Sequence, residues 1–120
     1  MFKWLREKLT GAQLRSPWSV TISGDAIVTN DRQGTEHRLS LVDLKRVVVA
    51  TDGSGPWDDD VVFLLYSDGP EPVGLFPLEA GGCQDFVGWL SSLVGYRDRE
   101  MAKAMSSTEV ASFTVFTAAT

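Results

Sequence analysis

Cysteine is nearly missing from these 120 residues: Cys83 is the only one. That excludes an internal disulfide and a cysteine-only metal site, and it fits a reducing, cytoplasmic setting. Basic residues are the minority, 11 against 16 acidic, and the net charge of -5 argues against a nucleic-acid partner, because such binding draws on Lys and Arg to neutralise phosphates. No apolar run approaches the ~20 residues needed to cross a bilayer, so no integral membrane association is expected. Charges within Met1 to Lys8 interrupt anything like the hydrophobic region of a signal peptide. Internal repeats and low-complexity tracts are absent as well. What remains is 43% hydrophobic and 22% charged, an ordinary globular balance, and the length suits one domain over residues 1-120.

The charge that is present is unevenly spread. Lys3, Arg6, Lys8 and Arg15 against Glu7 give the first 15 residues +3, so the remainder of the chain carries -8. Within that basic stretch Phe2, Leu5, Leu9 and Ala12 recur at spacings of three and four, which predicts a short amphipathic helix over 1-15. Such a helix either packs on the domain or rests on a membrane surface; the first reading is preferred, since one short stripe anchors weakly. Ser16-Pro17 closes the segment.

Antiparallel strands are predicted over 18-78. Trp18, Val20 and Ile22 alternate with Ser19, Thr21 and Ser23; Gly24-Asp25 turns the chain into Ala26 to Thr29, and Asn30 to Gly34 turns it again into Thr35 to Leu41. Two strongly apolar segments, Leu44 to Thr51 and Val61 to Tyr66, then flank the polar stretch from Asp52 to Asp60 and read as a central hairpin with a long acidic tip. Val73 to Phe76 returns antiparallel to the second of them. Helices follow over 82-105. The first runs from Cys83 to Val94, with Cys83, Phe86, Val87, Leu90, Leu93 and Val94 on one apolar face, and ends near Gly95. The second starts at Asp98, with Met101, Ala104 and Met105 inward. A final strand is expected over 110-116, with Ala111, Phe113 and Val115 on one side and Phe116 opposite.

These elements predict an α+β fold: an antiparallel curled sheet or partial barrel of about six strands, closed by a C-terminal helix. A short N-terminal helix precedes it, and a terminal helix-strand extension follows. From Trp18 to Val94 the order resembles pleckstrin-homology-like domains. The wording of the carboxyl two thirds is similar to a family of short, uncharacterised bacterial proteins: Gly55-Pro56-Trp57, Asp59 to Leu65, Glu79-Ala80-Gly81-Gly82, Leu93-Val94-Gly95-Tyr96 and Ala104 to Glu109. That resemblance implies a bacterial, standalone cytoplasmic protein and carries no activity onto any residue.

Candidate chemistry is sparse. Asp58, Asp59 and Asp60, with Asp52 across the loop, are of the type that collects calcium or magnesium, but they lack the ligand spacing of a calcium loop, and a solvated surface is the preferred reading. His37 and Cys83 would need to meet, with a third group, to form a nucleophilic pair; structural roles are expected for both. Gly81-Gly82 precedes a helix, yet Glu79 disfavours an anion there and suits the helix terminus itself. Trp57 in its polar loop is either a binding anchor or a lid on the core. The sequence therefore predicts no catalytic residue, no metal site and no cofactor. It predicts a noncatalytic protein-binding module with an unspecified protein partner, Trp57, Asp58 and Asp59 being the candidate contacts. The alternatives are an immunity-type protein that neutralises a toxin and a small-molecule or metal-dependent enzyme using the acidic loop.

Overall fold

The computed structural model describes residues 18-31, 34-51, 61-107 and 109-118. The helix expected over 1-15 and the tip with Trp57, Asp58 and Asp59 lie outside the described residues. Among the described residues, seven strands form two antiparallel sheets, and no barrel is closed. The first sheet holds β1 (Ser19–Ser23), β2 (Ala26–Asn30) and β3 (Glu36–Ser40) in that order. The second holds β4 (Arg46–Thr51), β5 (Val61–Tyr66), β6 (Gly74–Pro77) and β7 (Ala111–Thr117), in the order β6-β5-β4-β7. Helices α1 (Cys83–Ser91) and α2 (Asp98–Ser106) lie between β6 and β7 in sequence.

Local chemistry accounts for the turns. Ser23 pairs with Ala26, leaving Gly24-Asp25 as a two-residue connection, and Gly24 takes φ +61, as the first central position of such a hairpin requires. In the β2–β3 turn the Thr35 amide donates to Oδ1 of Asp31 at 3.0 Å, while the Asp31 amide donates to the Thr35 carbonyl at 3.1 Å. The Asp31 side chain thus replaces a missing backbone partner. A short 3-10 turn, Leu41–Asp43, then leads into β4.

The main core lies between the two sheets and the helices. Phe63 of β5 stacks on Phe76 of β6 at 5.2 Å, and Phe86 of α1 meets Phe76 edge-on, also at 5.2 Å. Val20 and Ile27 from the first sheet and Met101 and Ala104 from α2 complete this cluster. The final strand joins the larger sheet by pairing with β4. At the end of that strand pair, buried Thr51 donates from its hydroxyl to the Glu109 carbonyl at 2.6 Å, which ties β4 to the loop before β7.

Three expectations are corrected. Helix α1 stops at Ser91, where the backbone tightens: the Ser92 and Leu93 amides donate three residues back, to the carbonyls of Trp89 and Leu90, while the hydroxyls of Ser91 and Ser92 donate to the carbonyls of Gly88 and Trp89. Val94 therefore leaves the helical face and is 87% exposed, while Gly95 sits against β7, accepting the Thr117 amide, rather than capping the helix. Met105 is exposed, since α2 touches the sheet only along a narrow line through Met101 and Ala104. Finally, Phe116 shares the core with Val115. Val47 pairs with Phe116 and Val48 with Thr114, so Val115 is an extra residue, and the bulge resets the alternation of β7.

Candidate functional site

The 3-10 turn is the first wall of an open apolar hollow. The Leu41 amide donates to the Asp25 carbonyl at 2.7 Å, which fastens the turn to the β1–β2 connection, and the Leu44 amide closes it onto the Leu41 carbonyl at 3.2 Å. Leu44 turns inward and is buried; Val42, at the crest of the turn, is 81% exposed. The facing wall comes from the end of α1, where Trp89 occupies the last helical turn and the Leu93 amide donates to the Leu90 carbonyl; Leu93 stays half-buried against the core while Val94 projects into solvent. Buried Phe116 of β7 completes the floor with Leu44, and Ala118 borders it. The Ala118 amide donates to the Lys45 carbonyl at 2.8 Å, so the strand ends beneath the hollow are held together.

The resulting space is about 400 Å³, open on one side, with Val42 and Val94 on its rim. Among the described residues, Lys45 is its only charged lining residue. Among the described residues no nucleophile, carboxylate or imidazole lines it, and these residues offer apolar contact with one cation at the edge. Sequence reasoning missed this site. The available signals were an apolar residue in a turn, Val42, and a second valine beside a glycine, Val94.

The other predicted residues are not assembled into a site. Cys83 is buried at the start of α1, whereas His37 stands on exposed β3 with its Nε2 3.9 Å from the Asp31 carboxylate; the structure does not bring the two together. Gly81 and Gly82 are held against β1: the Val20 amide donates to the Gly81 carbonyl and the Gly81 amide to the Trp18 carbonyl, each at 2.8 Å. Their role at the head of α1 is thus a strand contact. Among the described residues, no group of three or more His, Cys, Asp or Glu side chains is placed to hold a metal ion, and no helix is long and apolar enough to cross a membrane.

Beside the hollow, Tyr96 bridges to Phe116 on the outer edge of β7. Burial, and secondly the Asp98 carboxylate, push its phenol above the ordinary value of 10.0. The neutral phenol is the favoured form in the folded chain. Its contribution to stability is fully present below pH 10.0 and is lost as the pH rises through the raised value. In a series of thermal melts across that range, Tyr96→Phe is expected to lose stability less steeply than the wild type; parallel curves would show that Tyr96 does not contribute. The chain matches no protein-family model, no curated protein and no solved structure.

Proposed function

We propose that this chain is a noncatalytic protein-binding module that receives an apolar side chain of its partner in the hollow between the 3-10 turn and the end of α1. The observation that carries this reading is the exposure of Val42 and Val94, 81% and 87%, on the rim of a space floored by Leu44 and Phe116. Branched apolar side chains left in water beside a preformed depression gain most by covering one another. The partner is a turn or helix with a bulky apolar anchor and a neighbouring carboxylate, which Lys45 meets at the edge. The strand-then-helix order that resembles pleckstrin-homology-like domains supports a binding rather than a catalytic reading, by analogy of architecture alone.

The test compares the wild type with a Val42→Asp, Val94→Asp double variant, each immobilised and exposed to extract from the source organism. A protein retained by the wild type is identified, and its affinity for both is measured. The double variant is expected to bind it at least about tenfold more weakly, a loss of about 1.4 kcal/mol, because the carboxylates must be dehydrated against an apolar anchor. Its unfolding free energy is expected to stay within about 0.5 kcal/mol of the wild type, since both positions are exposed. Undiminished binding would exclude the hollow. If Trp57→Ala with Asp58→Asn and Asp59→Asn alone weakened binding, the interface would be the acidic loop.

A further inference from the structure

Strand β3 is an outer strand of the first sheet: β2 pairs with it on one side, and among the described residues no strand pairs with it on the other. Which of its amides look outward follows from the ladder. At the two ends the Asp31 amide donates to the Thr35 carbonyl and the Leu41 amide to the Asp25 carbonyl, and both pairs continue the register that runs from Asn30 opposite Glu36 to Ala26 opposite Ser40. Hydrogen-bonded pairs alternate along an antiparallel ladder, so His37 and Leu39 are the residues of β3 that bond toward β2. Glu36, Arg38 and Ser40 therefore turn their N–H and C=O groups to the free edge. All three are exposed, as is His37 between them.

Charged side chains on an edge strand ordinarily keep a further strand from pairing there. Glu36 and Arg38 do so selectively, because they differ in sign. In an antiparallel pair of β3 strands related by a two-fold axis, opposed residues either both bond across the junction or both bond away from it, so their numbers sum to an even total. Arg38 opposite the partner's Arg38, or Glu36 opposite the partner's Glu36, sets like charges together. The register between those two places Glu36 opposite the partner's Arg38 and Arg38 opposite the partner's Glu36. Each of these pairs exchanges both of its N–H···O bonds, and His37 falls on the axis. A slide further along the edge, to Arg38 opposite the partner's Ser40, leaves Glu36 without its counter-charge. One register is thus singled out by charge.

We propose that the free edge of β3 is the contact surface for a second copy of this chain, the two strands pairing in that register into one sheet continuous across the axis. Within one chain Nη2 of Arg38 already lies 3.4 Å from Oε2 of Glu36, and the two side chains are 57 and 52% exposed. Pairing keeps this contact and adds the partner's carboxylate on the other side of each guanidinium, so charges of alternating sign surround the axis. The occupant is a second copy because the edge asks for a strand in which an acidic and a basic residue are spaced two apart and run in the opposite direction, and β3 itself supplies that strand. Leu39, on the other face of β3, stays packed against the main core, so the junction forms without rearranging the fold. A single short strand from each copy makes a small interface, and the dimer is correspondingly weak and reversible.

Sedimentation of the full-length protein at concentrations up to about 1 mM tests this. A reversible monomer–dimer equilibrium is expected, and a monomer throughout would overturn the proposal while leaving the hollow untouched. Glu36→Arg and Arg38→Glu are each expected to weaken the dimer at least about tenfold, because like charges then oppose one another at both pairs. Mixed together, the two variants are expected to associate at least as tightly as the wild type, since every opposed pair is again of unlike sign; no mixed dimer would refute the register. A dimer indifferent to both charge reversals would refute the β3 edge, and one lost only in the Val42→Asp, Val94→Asp variant would move the contact to the hollow. Hydrogen exchange of the wild type decides should a variant fail to fold: the Glu36 and Arg38 amides are expected to slow as the protein concentration rises, and rates independent of concentration would sink the pairing.

Discussion

Leu90→Ala is expected to lower the unfolding free energy by about 2–5 kcal/mol, while Ser91→Ala, one residue along the same helix, stays within about 0.5 kcal/mol. Leu90 is 0% exposed and belongs to the cluster built on Phe63, Phe76 and Phe86, so its truncation leaves a hole that the stacked rings and the sheet behind them cannot easily collapse into. The penalty contains both the lost transfer of the side chain from water and the cavity left behind. Ser91 faces solvent, and its hydroxyl bonds only to the Gly88 carbonyl of its own helix, an interaction that water replaces. Against the ~5–15 kcal/mol stability of a typical domain, the Leu90 loss would be plain in a denaturant titration. A shift in midpoint with an unchanged slope is expected, since the surface exposed on unfolding is nearly the same. Equal small losses for the two variants would mean that α1 is peripheral.

Those two residues also mark how far the sequence was readable. The apolar face of α1 follows from spacing alone through Cys83, Phe86 and Leu90, because a helix sets its periodicity by geometry. Val94 continues the same spacing but not the same helix. The backbone tightens there to bonds three residues back, Ser92 to Trp89 and Leu93 to Leu90, and a change of this kind does not appear in a hydrophobic pattern. The strands were legible for a similar reason: alternation marks β1, and the hairpin at Gly24-Asp25 follows from its turn residues. Where each strand sits was not. The pairing of β7 with β4 spans two helices, and its bulge at Val115 inserts a residue that period-two reasoning cannot foresee. The hollow was hidden because it is a product of assembly. Leu44 and Phe116 are far apart in sequence, and the exposure of Val42 and Val94 exists only once the turn and the helix end are set beside each other.

Gly82→Ala should be among the most damaging single substitutions in the chain, because two independent constraints coincide there. Gly82 adopts φ +84, a left-handed conformation that costs other residues about 1–2 kcal/mol. In addition, a Cβ at this position would stand far closer to the Val20 carbonyl oxygen than van der Waals contact allows, and that atom belongs to the backbone of β1 rather than to a yielding side chain. Relief requires moving β1 away from the head of α1, and the contact between them carries the paired bonds of Gly81 with Trp18 and Val20. Val20 is itself buried, so displacement would also disturb the core. A total of about 3–5 kcal/mol is expected, at the severe end of single-residue effects. Gly24→Ala separates the two causes. Gly24 has φ +61 but nothing within 4 Å of where a Cβ would stand, so it should pay only the conformational part, about 1–2 kcal/mol. Paired denaturation curves give both values: similar losses would show that β1 yields to the new methyl group, whereas an excess at Gly82 measures how firmly the start of α1 is seated on the first strand.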